Sequence, residues 1–115
     1  MTACWDCAVE VGKRHEEGCD VARCSVCGGQ RIACGCEGGR PTLHTGEWPG
    51  DVECREMGLW AVWSETVMIA GHEVGTGRCI PVPAGTPGAF EDLNRLASMA
   101  AQGLLRWDGK RWRLP

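Results

Sequence analysis

Apolar and polar positions divide the chain into three stretches of different character. The first forty residues are too polar and glycine-rich to assemble a hydrophobic core of their own. Residues 37–58, "EGGRPTLHTGEWPGDVECREMG", carry neither a helical nor an alternating period, and their Gly, Pro and polar content predicts a loop or linker. A connection of that length is functional or flexible as a rule, and Trp48 and Cys54 are the residues that would pin it, with a turn at Trp48-Pro49-Gly50.

From residue 59 onward the pattern is that of ordinary globular chain. "LWAVWSETVMIAG", residues 59–71, and "RCIPVPAG", residues 78–85, are rich in β-favoured side chains. Joined through "HEVGTG", they predict an antiparallel pair with the proline-bearing strand at an edge. A helix is predicted over about 86–103, with Thr86 as N-cap, Pro87 in its first turn, Glu91 and Asp92 near its positive end and Gly103 closing it. Ala89, Leu93, Leu96, Ala97, Ala100 and Leu104 form the stripe that such a helix buries.

The chain ends in "LLRWDGKRWRLP", where Asp108-Gly109 signals a hairpin over about 104–114. A two-residue loop pairs Trp107 with Lys110, Arg106 with Arg111 and Leu105 with Trp112. One face then carries Leu105, Trp107, Trp112 and Leu114, and the other Arg106, Arg111 and Arg113. Opposed arginines destabilise a strand pair, so an acidic partner, internal or external, is expected beside them.

Cysteine changes the picture of the first stretch. Nine cysteines in 115 residues approach the level of a disulfide scaffold or a metalloprotein. The N-terminus lacks the basic and apolar regions of a signal peptide, which predicts a reducing cytoplasm, and nine thiols cannot all pair within one chain. Metal ligation is the better account. Seven cysteines and one histidine (Cys4, Cys7, His15, Cys19, Cys24, Cys27, Cys34 and Cys36) supply eight donors, enough for two closed tetrahedral zinc sites.

Which donors share an ion is open in the sequence. Cys4-x2-Cys7 with Cys24-x2-Cys27 has zinc-ribbon spacing, leaving His15, Cys19, Cys34 and Cys36 for a second, interleaved site as in a cross-brace. A sequential division, four donors and then four, is equally countable, as is a single zinc with free cysteines. His15 and Cys19 would share a face of a short helix, although His15 among charged neighbours also reads as a solvated residue. Cys34-Gly35-Cys36 is a short bite in which one thiol would be spare.

The predicted fold class is therefore α+β: a small zinc-stabilised module over 1–36, zinc-ribbon or cross-brace-like, then a linker over 37–58. A short antiparallel sheet with one helix and a C-terminal β-hairpin occupies 59–115. Charge narrows the function. Residues 1–57 carry ten acidic and six basic side chains against five and six over 58–115. Two zinc sites, one of four thiolates and one with an imidazole, would take the formal charge from −3 to −6. An acidic metal half is poorly suited to neutralise phosphates.

Catalytic motifs are missing. His15-Glu16-Glu17 leads to no Pro-Cys-x-x-Cys of a deaminase, Cys-Trp-Asp-Cys lacks a thioredoxin-like βαβ context, and Gly75-Thr76-Gly77 lacks the rest of a phosphate loop. His44, His72, Cys54 and Cys79 read as structural or incidental.

"HEEGCDVARC" running into "GGQRIAC", then "TGEWPGDVECREMG" and "PGAFEDLNRL" before a tryptophan-containing hairpin, resembles a group of small uncharacterised cysteine-rich proteins of actinobacterial bacteriophages and prophages. The likeness spans most of residues 4–112 and brings no activity with it. In that pattern the stretch after CDVARC often reaches Gly-x-Gln-Arg without another cysteine, so Cys27 and Cys36 are departures. The resemblance thus implies a single site of Cys4, Cys7, Cys19 and Cys24, with His15 as competitor.

The expectation is a non-enzymatic zinc protein in the host bacterial cytoplasm that engages a host protein, with exposed Trp60 or Trp63 as contact residues. The alternative is a DNA-binding regulator using the C-terminal helix and Arg106, Arg111 and Arg113. A helix followed by a basic hairpin looks like the end of a winged helix-turn-helix, although 59–85 read as strands.

Overall fold

The computed structural model describes residues 3–115 and is α+β, with three helices, a three-stranded antiparallel sheet and a two-stranded one. In chain order the elements are α1 (Arg31–Cys34), α2 (Asp51–Met57), β1 (Trp60–Ile69), β2 (His72–Val82), β3 (Phe90–Glu91), α3 (Leu93–Ala101), β4 (Arg106–Trp107) and β5 (Trp112–Arg113). No described helix is long and apolar enough to cross a membrane.

Over residues 3–44 regular structure is almost absent, and single antiparallel bridges do the work of strands. Residues 40–44 run through the middle: Arg14 bridges Leu43 on one side and Cys24 bridges Pro41 on the other. The His15 amide donates to the Thr42 carbonyl at 3.1 Å, and the Thr42 amide donates to that of Arg23 at 3.0 Å. The start of the expected linker is therefore the seam of the N-terminal module. Its end is not loop either. Asp51 and Glu53 complement the positive end of α2, and Gly58 closes it in the left-handed conformation, so a seven-residue helix stands there.

The sheet has the order β2-β1-β3, which puts the proline-bearing β2 at an edge. The β1–β2 turn falls at Ala70-Gly71, so "HEVGTG" belongs to β2 instead of connecting the strands. A bulge sets Gly77 and Arg78 opposite Ser64, whose hydroxyl accepts from the Arg78 amide at 2.9 Å. This ribbon projects from the body. Its distal half is exposed, and the radius of gyration is 15.6 Å, against about 13 Å for a compact chain of this length.

The helix expected from residue 86 begins at Leu93. Residues 86–92 form a turn and then β3, which pairs Phe90 with Ala61. Asp92 is the cap that wins, its carboxylate accepting from the Arg95 amide at 3.2 Å, while the Thr86 hydroxyl donates to the Pro83 carbonyl. Of the predicted stripe Leu96 is buried, Leu93 and Ala100 are half-buried, and Ala97 and Leu104 are exposed. Leu105 enters the core in place of Leu104. Cys54, Leu59, Leu96 and Leu105 form that core, with Met57, Met99 and Trp112 packed around it.

The C-terminal hairpin closes through four residues, not two. Arg106 faces Arg113 and Trp107 faces Trp112. Asp108 organises the loop by accepting from the Lys110 and Arg111 amides, each at 2.8 Å.

Candidate metal centre

Two hairpins of the same geometry carry the Cys-x-x-Cys pairs, twenty positions apart. The Cys4 amide donates to the Val9 carbonyl and the Ala8 amide to that of Cys4. At the second pair Cys24 donates to Gly29, and Gly28 to Cys24. Ala3 bridges Glu10 as Arg23 bridges Gln30. Both turns need a left-handed residue after the second cysteine, and Ala8 (φ 64°) and Gly28 (φ 75°) occupy it. The turn aims amides at sulfur: Asp6 donates to Cys4 Sγ and Val26 to Cys24 Sγ, both at 3.4 Å. At Cys4 such a bond favours the thiolate over the thiol.

The donors gather sequentially. Cys4, Cys7, His15 and Cys19 form one tetrad, and Cys24, Cys27, Cys34 and Cys36 the other, each with its donor atoms within 4.8 Å of one another. Either tetrad could hold a metal ion. All nine cysteines are free, so no disulfide competes. The two Cys-x-x-Cys pairs thus do not share a site as ribbon spacing suggests, because each hairpin meets the donors that follow it. Cys24 does not join Cys4, Cys7 and Cys19 either, and His15 completes their set.

In the first tetrad Cys4 Sγ lies 3.7 Å from Cys19 Sγ, and His15 Nδ1 lies 3.5 Å from Cys7 Sγ and 3.7 Å from Cys19 Sγ. His15 is buried and on no helix; residues 14–19 are irregular chain pinned to the 40–44 seam. Burial, and then the neighbouring His44, hold its imidazole below the usual pKa and so in the neutral, ligand-competent form. Burial pushes the Cys19 thiol up to about 11. Ionising several sulfurs here calls for a cation.

The second tetrad is more open, with Cys27, Cys34 and Cys36 half-buried around a buried Cys24. The Gly29 amide donates to Cys27 Sγ at 3.4 Å and the Arg31 guanidinium to Cys34 Sγ at 3.6 Å. The Cys36 backbone amide, with Arg31 assisting, draws the Cys34 thiol down to about 6, whereas hydrogen bonding to Cys27 and Cys34 drives Cys36 up to about 12. One thiolate forms readily and the next is resisted, so ionising the whole set calls for a cation. Both thiols of the short Cys34-Gly35-Cys36 bite belong to the cluster, so either could serve as a donor.

His44, structural or incidental on the sequence, packs beside the first tetrad. It is 2% exposed, its ring sits 5.1 Å from that of His15, and its Nε2 has no partner among the described residues. Trp5 meets it edge-on at 6.0 Å, and Trp48 packs on Trp5 with the rings 5.6 Å apart. Only the seam pairing brings it there, and no motif marks it. Cys54 lies in the hydrophobic core, where burial pushes its thiol up to about 12, and Cys79 stands apart on β2.

The residues expected to contact partners are dispersed. Trp63 is 43% exposed and packs on Phe90 at 5.5 Å, whereas Trp60 is half-buried. The acid expected beside the hairpin arginines is internal: Arg111 pairs with Glu56 at 2.8 Å and Arg113 with Asp108. Arg106 is exposed.

The second hairpin also ties the module to the rest of the molecule. Arg23 pairs with Glu53, whose side chain is 1% exposed, and lies over the Trp107 ring at 5.1 Å. The Trp107 indole donates to the Ser25 carbonyl at 2.8 Å. Comparison with family models, with curated proteins and with solved structures finds no match for this chain.

Proposed function

We propose that the chain is a non-enzymatic zinc-binding protein of phage or prophage origin that acts in the host bacterial cytoplasm by contact with a host protein. The division of eight donors into four and four carries this reading. Zinc–sulfur bonds near 2.3 Å and zinc–nitrogen bonds near 2.05 Å imply tetrahedral edges of about 3.8 Å between sulfurs and about 3.6 Å from sulfur to nitrogen. The 3.7, 3.5 and 3.7 Å separations of the first tetrad fit that frame. Cys4, Cys7, His15 and Cys19 would hold one ion, and Cys24, Cys27, Cys34 and Cys36 the other.

A catalytic zinc keeps a position for water and favours His or carboxylate donors, whereas these sets are thiolate-rich and complete at four. That supports a structural role for both ions. Exposed Trp5, Trp48 and Trp63 supply the residue type on which protein interfaces concentrate their binding energy. The DNA-binding alternative has less support, since Arg111 and Arg113 are paired with Glu56 and Asp108 and the chain between α2 and α3 is sheet.

Native mass spectrometry with elemental analysis tests the metal: two zinc ions per chain are expected. Retention of a host protein on the zinc-loaded chain, with no binding to duplex DNA at low salt, is the expected partner result. A metal-free folded chain, or duplex binding lost when Arg106, Arg111 and Arg113 become Ala, overturns the reading.

A further inference from the structure

Between the module, α2 and the hairpin loop lies a cavity of about 340 Å³, within the range of pre-formed ligand sites. Leu43, Trp48 and Val52 give it apolar walls, and Arg14 of the module and Lys110 of the hairpin loop bring cations to it. Its other charges are already matched: Glu53 with Arg23, Glu47 with Arg55 at 3.0 Å, and Arg111 with Glu56 at 2.8 Å. Among the described residues neither the Arg14 guanidinium nor the Lys110 ammonium forms an ion pair. The Arg14 guanidinium donates to the Pro41 carbonyl at 2.6 Å, which fixes it without neutralising it. Two cations without an ion pair therefore stand beside an apolar wall.

We propose that this cavity binds an acidic peptide segment of a partner protein, an apolar side chain entering between Leu43, Trp48 and Val52 while flanking carboxylates meet Arg14 and Lys110. The inference rests on the protein-contact reading above and assigns it a place. Charge complementarity selects the occupant. A nucleic acid is disfavoured because two unpaired cations on a chain of formal charge −3 neutralise few phosphates and the rest of the lining supplies an apolar wall in place of a basic track.

Panning a random twelve-residue peptide display library against the full, zinc-loaded chain tests the site. Enriched peptides should carry Asp or Glu on both sides of an aromatic or aliphatic residue, and their affinity should fall with added salt. Lys110→Glu, at an exposed position, should weaken binding about tenfold with the circular dichroism unchanged. Arg14→Glu should do the same, and Trp63→Ala, on the sheet, should leave affinity intact. Peptides without acidic enrichment, or acidic peptides indifferent to Lys110→Glu, overturn the site. Binders lost in Trp63→Ala alone would leave the protein-contact reading standing and remove this cavity from it. No enriched peptide, with a salt-dependent oligonucleotide complex abolished by Lys110→Glu, would remove both.

Discussion

Residues 3–10 and 23–30 trace one hairpin twice, bridge for bridge and amide for amide, yet the two copies sit in different surroundings. The first faces solvent around Trp5 and completes its donor set with a buried histidine. The second completes its set with two half-buried thiols and turns its back to the C-terminal hairpin, against Trp107 and Trp112. Position 8 can therefore be alanine. Position 28 cannot, because a Cβ there would stand 2.6 Å from the Trp107 ring and 2.8 Å from that of Trp112. The same local solution serves as a self-contained unit in one copy and as a docking surface in the other.

Removing ligands separates these roles with the largest effect. Structural zinc contributes on the order of 10 kcal/mol to folding, comparable to the whole stability of a small domain. Both Cys7→Ser and Cys24→Ser should thus yield largely unfolded modules. Only Cys24→Ser should also release the packing of Trp107 and Trp112, visible as lost near-ultraviolet circular dichroism and red-shifted fluorescence. If Cys7→Ser loosens the hairpin tryptophans equally, the first copy is no self-contained unit.

Next in size is the buried ion pair that anchors the second copy. Glu53 accepts from Arg23 and from the Trp112 amide, in a place where water cannot substitute. Breaking one side of such a pair costs about 3–5 kcal/mol. Glu53→Gln should lower the urea midpoint accordingly while both zinc ions stay bound.

How much of this was legible before the structure depends on whether the signal was local. The fold class, the edge position of β2, the eight donors and an acid beside the hairpin arginines follow from composition, proline position and spacing. The ligand partition does not, since Cys-x-x-Cys spacing says how a pair bites and not which later donors it meets. The seam at 40–44 and the place of His44 depend on pairings between distant residues that lack any periodic pattern. Two errors had local causes. The Asp92 cap outcompeted Thr86-Pro87, and Asp108 built a four-residue loop by capping two amides, overriding the two-residue turn that Asp-Gly suggests. Helix α2 carried its signals, Asp51, Glu53 and Gly58, inside a stretch too short and polar to show a period.

Exchanging the left-handed residues sharpens the comparison at smaller cost. An L-residue in that conformation is disfavoured by about 1–2 kcal/mol, and overpacking against the two indoles adds about 1–3 kcal/mol. Gly28→Ala should therefore destabilise by about 2–5 kcal/mol. Ala8→Gly relieves the same strain but loosens the unfolded chain, which leaves a gain below about 1 kcal/mol. Opposite signs follow from the backbone alone, so the magnitude is the test: read from thermal unfolding at fixed zinc, a Gly28→Ala cost above about 2 kcal/mol is the expected mark of the hairpin, and a cost within the ~1–2 kcal/mol of the left-handed backbone would mean that the hairpin does not press on the second copy.

The smallest effect concerns the loop that presents the hairpin to the second copy. The Arg113 guanidinium, with the Arg111 and Lys110 amides, holds the Asp108 carboxyl well below the usual carboxylate range. A depressed pKa stabilises the fold above the unfolded value of about 3.9 and loses that contribution as pH falls through the lowered one. Zinc release in acid would mask this in a melting curve, so the carboxyl-carbon resonance of Asp108 is the better reporter. Its midpoint should lie below the ordinary range in the native chain and rise toward it in Arg113→Ala, while Asp108→Asn keeps the turn and loosens only the ion pair. Exposure of the pair keeps the consequence for stability small and salt-sensitive. The hairpin therefore owes its position to the indoles packed against Gly28 and to Glu53 more than to its charges.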